Sequence, residues 1–426
     1  MATGARAMGR RKLLVVLGAG SSIPCNMPSV GDINEKMKQW SCEWENLPEF
    51  PTGSSRGVFN DLWEIVEGYY RQNLQPQLGL GVNFERILGE MTALASWVTP
   101  SPFGNTLREA VQNCAPADAF TWPHGRTEPY FYRQLILDQL GFLLGRLADF
   151  MRERSRSLDE NSQAFIDYRE IVSRLRDKFE VGIYNLNYDT VAQSAWSDAY
   201  NGFKDGSFDA RGIGQRQEWD FIYPLHGSVH YSFSDPPFTR TLRWEPDLNS
   251  SFENCQPVFP EMASEFRPIV PTTLVAGGFK LDQLLADPAQ SFHAALVRHM
   301  HEADAVLIAG YGFGDAHVNR ALRNRFALSP FKPAGRPPAV VLTNTAPAHG
   351  SVAGRQGHEF WAWELTHTLN CRFQASAMQA GNSLTAAPYV ENGTLETDMN
   401  GRVAVWHSGF AEALGSIDRV ISWLRR

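Results

Sequence analysis

The stretch "KLLVVLGAGSS", Lys12–Ser22, decides the architecture. Residues Leu13–Leu17 are apolar without a break, and the run stops at Gly18. A run this short has the length of a strand, and a strand with no polar alternation is buried on both faces, as in parallel sheets covered by helices. Three more stretches share the form and end in small or polar residues: "FEVGIYNLNYDT" (Phe179–Thr190), "ADAVLIAGYGFGD" (Ala303–Asp315) and "PAVVLTNT" (Pro338–Thr345).

Helical patterns lie between these strands. "SVGDINEKMKQW" opens on Ser29 with Asp32 three residues later, close to a capping box. "DPAQSFHAALVRHMHEA" opens on Asp287-Pro288, a cap followed by proline at the first helical position. In "GDAHVNRALRNRFA", Asp315 stands where it would cap its own helix. The alternation predicts an α/β protein with an open, doubly wound parallel sheet and helices on both faces. Residues 12–345 read as that domain, with residues 47–161 as a mainly helical insertion. Residues 1–11 read as a flexible basic tail, and 346–426 as an extension ending in the amphipathic helix of "FAEALGSIDRVISWLRR". The glycine-rich "GFKDGSFDARGIGQRQ" (Gly202–Gln217) reads as an exposed loop.

Composition narrows the function. The formal net charge of -7 argues against direct nucleic-acid binding, which rests on a basic surface. The five cysteines are scattered with no C-x-x-C pair, which argues against a zinc ribbon or a disulfide framework and fits a reducing cytoplasm. No secretory signal pattern is visible at the N-terminus. No apolar run reaches the length of a membrane span, and "QLILDQLGFLLGRLADF" is broken by Asp138, Gln139 and Arg146.

Four constellations could carry chemistry. In "LGAGSS", Gly18 and Gly20 permit a tight turn and close approach of backbone to a phosphate, but Ile23 stands where a dinucleotide fingerprint needs its third glycine. An ordinary NAD dehydrogenase is therefore disfavoured, and a bare strand-to-loop turn stays open. In "NLNYDT", Asn187 and Asp189 follow a strand, either facing a ligand or closing an Asx-turn. "GYGFGDAHVN" leads three glycines into a helix N-terminus, which suits a phosphate. "YPLHGSVHY" (Tyr223–Tyr231) holds His226 and His230 around a Gly-Ser turn. His299 and His301 in "HMHE" diverge on a helix and make a poor metal pair, and no G-x-S-x-G elbow is present.

Taken in order, "GAGSS", "NFERIL" (Asn83–Leu88), "NYD", "LHG" and "GYGFGDAHVN" resemble the sirtuin-like NAD-binding family. They are more similar to the bacterial sirtuin-like NADases of antiphage defence than to the protein deacylases. The resemblance spans Leu13 to Thr345 and implies a Rossmann-like fold. It implies that Gly18, Ala19, Gly20 and Ser21 form a cofactor loop, and that Asn187 positions the nicotinamide ribose and a water. It further implies that Asp189 lies near the nicotinamide amide and that His226 is the general base. Gly310, Tyr311 and Gly312 match the phosphate cradle, and Asn344 the residue facing the adenosine ribose. The chain departs from the deacylases in lacking the four-cysteine zinc module and the "GIPDFR" loop, where it reads "IPCNMPSVGD". The resemblance thus implies a soluble NAD+ glycohydrolase with NAD+ as substrate and no metal. Its control would lie in a homo-oligomer or in a partner such as a HerA-type ATPase or an Argonaute-like protein. The alternatives are an NAD-dependent deacylase or ADP-ribosyltransferase, and a non-catalytic scaffold that binds NAD or ADP-ribose.

Overall fold

The computed structural model describes residues 10–45, 57–73, 81–97, 129–233, 242–254, 272–277, 280–284, 286–327, 335–344, 352, 359–373 and 395–426. Residues 1–9 of the expected tail, parts of the expected helical insertion and most of residues 345–394 lie outside these ranges, as do Cys114 and Cys255.

A seven-stranded sheet has the order β10-β11-β9-β8-β1-β2-β5. Its strands are β1 (Arg11–Leu17), β2 (Phe179–Asn185), β5 (Asp220–Pro224), β8 (Ala305–Ala309), β9 (Ala339–Leu342), β10 (Leu395–Thr397) and β11 (Val403–Trp406). All pairs are parallel except the edge pair β10–β11. The α/β class and the mostly parallel sheet are as the apolar runs predict. Two strands of this sheet come from residues beyond 345, where the sequence suggested only a terminal helix. "VAVW" is too short to stand out in a segment with no other strand signal.

Side chains of β1 alternate between two cores, the consequence of a period of two. Leu14 and Val16 face α9 (Ala289–Glu302), α10 (Ala316–Ala327) and α11 (Phe360–Thr368). Leu13, Val15 and Leu17 face α5 (Gln163–Lys178), α6 (Val191–Ala195) and α12 (Ile417–Leu424). Both faces are therefore covered, which explains the unbroken apolar runs. Ser162 caps α5 by accepting from Phe165 N.

A third core joins α1 (Val30–Glu45), α2 (Gly57–Asn73), α3 (Phe84–Trp97) and α4 (Pro129–Arg156). The predicted Ser29–Asp32 capping box starts α1: Ser29 N donates to the Asp32 carboxylate and Asp32 N to Ser29 Oγ. This core also takes in Tyr188, Val229, Leu274 and Ala276, so the helical layer rests on the loops that follow β2 and β5. The fully buried Arg152 of α4 fixes it there by donating to the carbonyls of Val229 (2.6 Å) and Leu248 (2.8 Å).

A small second sheet, β3-β4-β7-β6, is built from β3 (Phe203–Lys204), β4 (Ser207–Phe208), β6 (Tyr231–Phe233) and β7 (Leu242–Trp244). The segment read as an exposed loop thus contains a hairpin, followed by the helix α7 (Ala210–Gln215). Gly202 and Gly206 take the positive φ of its turns, and Gly212 and Gly214 lie within α7. No described helix is long and apolar enough to cross a membrane.

Candidate active site at the carboxyl ends of the strands

The strand register gathers the motifs. Leu17 pairs with Asn185 on one side and Ala309 on the other, and Asn185 pairs with Pro224. The loops beginning at Gly18, Leu186, Leu225 and Gly310 therefore leave the sheet side by side. The chain starts in mid-sheet, running to β2 and β5 on one side of β1 and to β8 and β9 on the other. The crevice of an open α/β sheet lies at such a reversal, outside the carboxyl ends.

The first glycines meet a requirement of the protein itself. Gly20 N donates to Gly310 O (3.0 Å). A Cβ on Gly18 would stand 2.6 Å from Gly310 O, and one on Gly20 2.8 Å from Gly310 Cα. Gly310 adopts φ +64°, and its own Cβ would meet Ser21 N. The two loops cross with no room for side chains. Ser21 Oγ turns back to Gly18 O (2.8 Å), and Ala19 opens a single 3-10 turn, Ala19–Ser21. Around Gly312, by contrast, the space a Cβ would enter is open. Tyr311 is a buried tie: its hydroxyl donates to Asn319 Oδ1 (2.8 Å) and accepts from Asp315 N (3.0 Å). Asn344 is exposed at the end of β9, bridged to Ser408.

Asn187 is buried in the loop after β2, and its amide nitrogen donates to Gly18 O (3.1 Å) and Ser22 Oγ (2.9 Å). That fixes the side chain against the first loop. Its amide oxygen has no hydrogen-bond partner among the described residues and is free to meet a water or hydroxyl. Asp189 accepts from Val191 N (3.0 Å) and Ser22 Oγ (3.2 Å). Burial pushes its carboxyl up to about 6, against these two hydrogen bonds. One serine hydroxyl thus joins Asn187 to Asp189.

His226 follows β5, and Gly227 makes the turn at φ +87°, where a Cβ would strike Thr273 O. The imidazole is buried, with Nε2 3.0 Å from His317 Nε2 and 3.9 Å from Asp315 Oδ1. Burial holds its pKa well below the usual histidine value, as does Lys280, while Asp315 pulls the other way. His317 is held down to about 4, mainly by burial. Asp315 stands at the start of α10, where its carbonyl accepts from Asn319 N (2.9 Å), and its side chain reaches beyond that helix. Its carboxylate is 2.5 Å from Lys280 Nζ, which also lies 2.7 Å from Glu85 of the "NFERIL" stretch. Asp315 stays well below the usual carboxylate range because His226 and Lys280 oppose the effect of burial. His226, Asp315 and His317 offer atoms within 4.8 Å of one another, a spacing that could suit a divalent cation. The Lys280 ammonium already supplies positive charge on that carboxylate, and the two Nε2 atoms already bond each other.

His230 is a different case. Its ring stacks on Trp244 (centroids 4.5 Å, 18°), with Nε2 on Thr190 Oγ1 and Nδ1 on Glu245 O, both at 2.9 Å. His299 is buried among aromatic rings, and His301 is exposed on the same helix.

Sequence reasoning missed Lys280 and His317. Lys280 sits in an undistinguished "FKLDQ", and nothing local signals its partners 35 and 195 positions away. A groove of about 680 Å3 opens at the opposite, amino ends of β2 and β5, lined by Arg176, Trp196, Glu218 and Asp220 among others, and it includes none of the motif residues.

Comparison with known proteins places a family model described as "SIR2-like domain" on residues 181–356, less than half of the chain. No curated protein matches. A solved structure described as a crystal structure of a SIR2 homolog–NAD complex is 13% identical, with 84% of this chain and 88% of that one covered, at a TM-score of 0.30. The family model takes in β2, β5, β8 and β9, and with them Asn187, Asp189, His226 and Gly310–Gly312, so this part of the chain is similar to a SIR2-like domain.

Proposed function

We propose that the protein is an NAD+ glycohydrolase that splits NAD+ into nicotinamide and ADP-ribose and serves antiphage defence by depleting NAD+. The observation that carries this reading is the side-by-side exit of three loops, which brings Asn187, Asp189 and His226 to one end of the sheet. The similarity of residues 181–356 to a SIR2-like domain supports NAD+ as the ligand.

Breaking the nicotinamide–ribose bond develops oxocarbenium character on the sugar, and the pyridine leaves with its electron pair. The protein then has to hold the dinucleotide, place a water and take one proton. Asn187 is anchored through its nitrogen, so its oxygen can orient that water at no cost in added charge. Asp189 faces the nicotinamide amide, and His226, neutral because it is buried, takes the proton. Gly310–Gly312 take the diphosphate beside the N-terminal end of α10, and Asn344 the adenosine ribose. A homo-oligomer, or a HerA-type ATPase or Argonaute-like partner, keeps the enzyme off until infection.

The test is to incubate the purified protein with NAD+ and quantify nicotinamide and ADP-ribose, for the wild type, Asn187→Ala and His226→Ala. Equimolar products from the wild type, with losses of about 100-fold or more in each variant, are expected. Release of no nicotinamide by the wild type, alone at any protein concentration and with a HerA-type ATPase or Argonaute-like partner, would sink the assignment. Transfer of ADP-ribose or deacylation in place of hydrolysis would replace it with the transferase or deacylase reading.

A further inference from the structure

We propose that Asp315 and His317 are positioning residues for His226, with the buried Lys280 and the half-buried Glu85 as the lock that holds Asp315 in place. This deepens the proposed function and rests on His226 acting as its base. His317 holds the His226 ring through the 3.0 Å contact between their Nε2 atoms. One nitrogen carries the hydrogen and the other accepts it, so the two rings are fixed relative to each other. Asp315 Oδ1 lies 3.9 Å from His226 Nε2 and is itself largely buried. When the reacting O–H bond breaks, its proton adds to the His226 ring nitrogen that is not bonded to the Leu186 backbone, and positive charge appears in a largely buried site. A carboxylate already in place stabilises that charge with no reorganisation.

Lys280 makes this arrangement stable. Taken alone it would cancel Asp315. Its ammonium is shared, however, between Asp315 at 2.5 Å and Glu85 at 2.7 Å, so it neutralises Asp315 only in part. The groups facing His226 are therefore Asp315, which favours the charged ring, and His317 and Lys280, which oppose it, with Glu85 behind Lys280. His293 stands beyond His317, its ring edge-on at 5.8 Å. The array joins α3 of the helical layer, the short helix α8 (Lys280–Gln283) and the start of α10, so packing of the helical layer is felt at the base.

The experiment has two arms on the full-length protein. In the kinetic arm, Asp315→Asn and His317→Gln are compared with the wild type across pH. Falls in kcat of about 10-fold or more are expected, with KM for NAD+ changed less than about threefold and, for Asp315→Asn, the acid limb of kcat/KM moved to lower pH. Lys280→Arg, which keeps the charge, should retain most of kcat, whereas Lys280→Met should not. In the second arm, 15N-histidine NMR of the free protein reads the His226–His317 hydrogen bond as a coupling between the two Nε2 nuclei, lost in His317→Gln. If Asp315→Asn does not fold, His317→Gln carries the kinetic test alone. Both variants within twofold of wild-type kcat, or no coupling between the rings, overturns the proposal. So does activity lost to a chelator and restored by zinc, because the rings would then be holding a metal. A coupling present in a wild type that releases no nicotinamide would remove the NADase reading and leave the pair as structure.

Discussion

Two buried histidines define two kinds of interior. His299, on α9, has its Nδ1 2.8 Å from Tyr184 Oη, and its ring stacks on Phe221 (4.7 Å, 26°) beside Trp219 (5.0 Å). Burial holds its pKa down to about 4. His226 is just as buried and is also held in the neutral form. Burial and a lowered pKa therefore do not separate a packing histidine from a working one. The neighbours do: around His299, aromatic rings with the Tyr184 hydroxyl on Nδ1 and the Arg298 guanidinium 3.0 Å from Nε2, and around His226 a second histidine, a carboxylate and an ammonium. The first set ties up both ring nitrogens and sets an arginine against any added proton. The second places a carboxylate beside the ring and can respond when a proton arrives.

Replacing each histidine in turn breaks the comparison most sharply. His226→Ala should lower NAD+ cleavage by about 1,000-fold, far beyond the stability lost by leaving a buried gap and His317 Nε2 without its partner. His299→Ala should cost about 3 kcal/mol in urea unfolding, because it opens a cavity in an aromatic core and strands the Tyr184 hydroxyl. It should leave most activity in the molecules that stay folded. If the two variants lose activity and stability in the same proportion, the distinction between the two interiors is wrong.

A smaller effect separates the ionisable groups by the sign of their pH dependence. His317 and His299 have pKa values lowered to about 4, so the stability they contribute is present above the unfolded value of 6.5 and is lost as pH falls through 4. Asp189 runs the other way. Its carboxyl is raised from 3.8 to about 6, so its contribution is present below 3.8 and lost as pH rises through 6. Asp189→Asn should therefore gain on the wild type as pH rises, by about 1.4 kcal/mol between pH 5 and pH 8. Unfolding free energies of the two proteins at both pH values check this, and a difference that does not change with pH would mean that Asp189 is not buried as a carboxylate.

The contrast also shows what a sequence can carry. Four of the seven strands, β1, β2, β8 and β9, were legible because burial on both faces leaves an unbroken apolar run. Asn187 stood at the end of a strand read in this way, whereas His226 was singled out by the family resemblance, because β5 was not read as a strand. Asp315 was visible as the start of its helix, but not its ion pair: a cap is a local relation, whereas its partner Lys280, and Glu85 on the far side of Lys280, come from distant elements. Gly18, Gly20 and Gly310 were read as room for a phosphate, yet much of their need comes from the crossing of two loops. Both kinds of miss have one cause. Local pattern reports what a residue can do along the chain, and tertiary contact decides which of those options is used.

His230 lies between the two interiors and offers the finest test. It sits four residues from His226, in the same turn, and touches Thr190, the neighbour of Asp189. That invites a role in the site, but its contacts resemble those of His299: a stacked ring and two fixed hydrogen bonds. The Asp189 carboxylate is set by Ser22 and the Val191 amide, neither of which depends on His230. His230→Phe keeps the stack on Trp244 and leaves the Thr190 hydroxyl and the Glu245 carbonyl without this partner. It should cost about 1–2 kcal/mol in unfolding and change kcat for NAD+ less than about twofold. The margin is narrow, so the measurement decides between the two kinds of interior. A tenfold loss of kcat in a stably folded variant would move His230 into the site, and the working region would then extend from His226 through Thr190 to the second sheet.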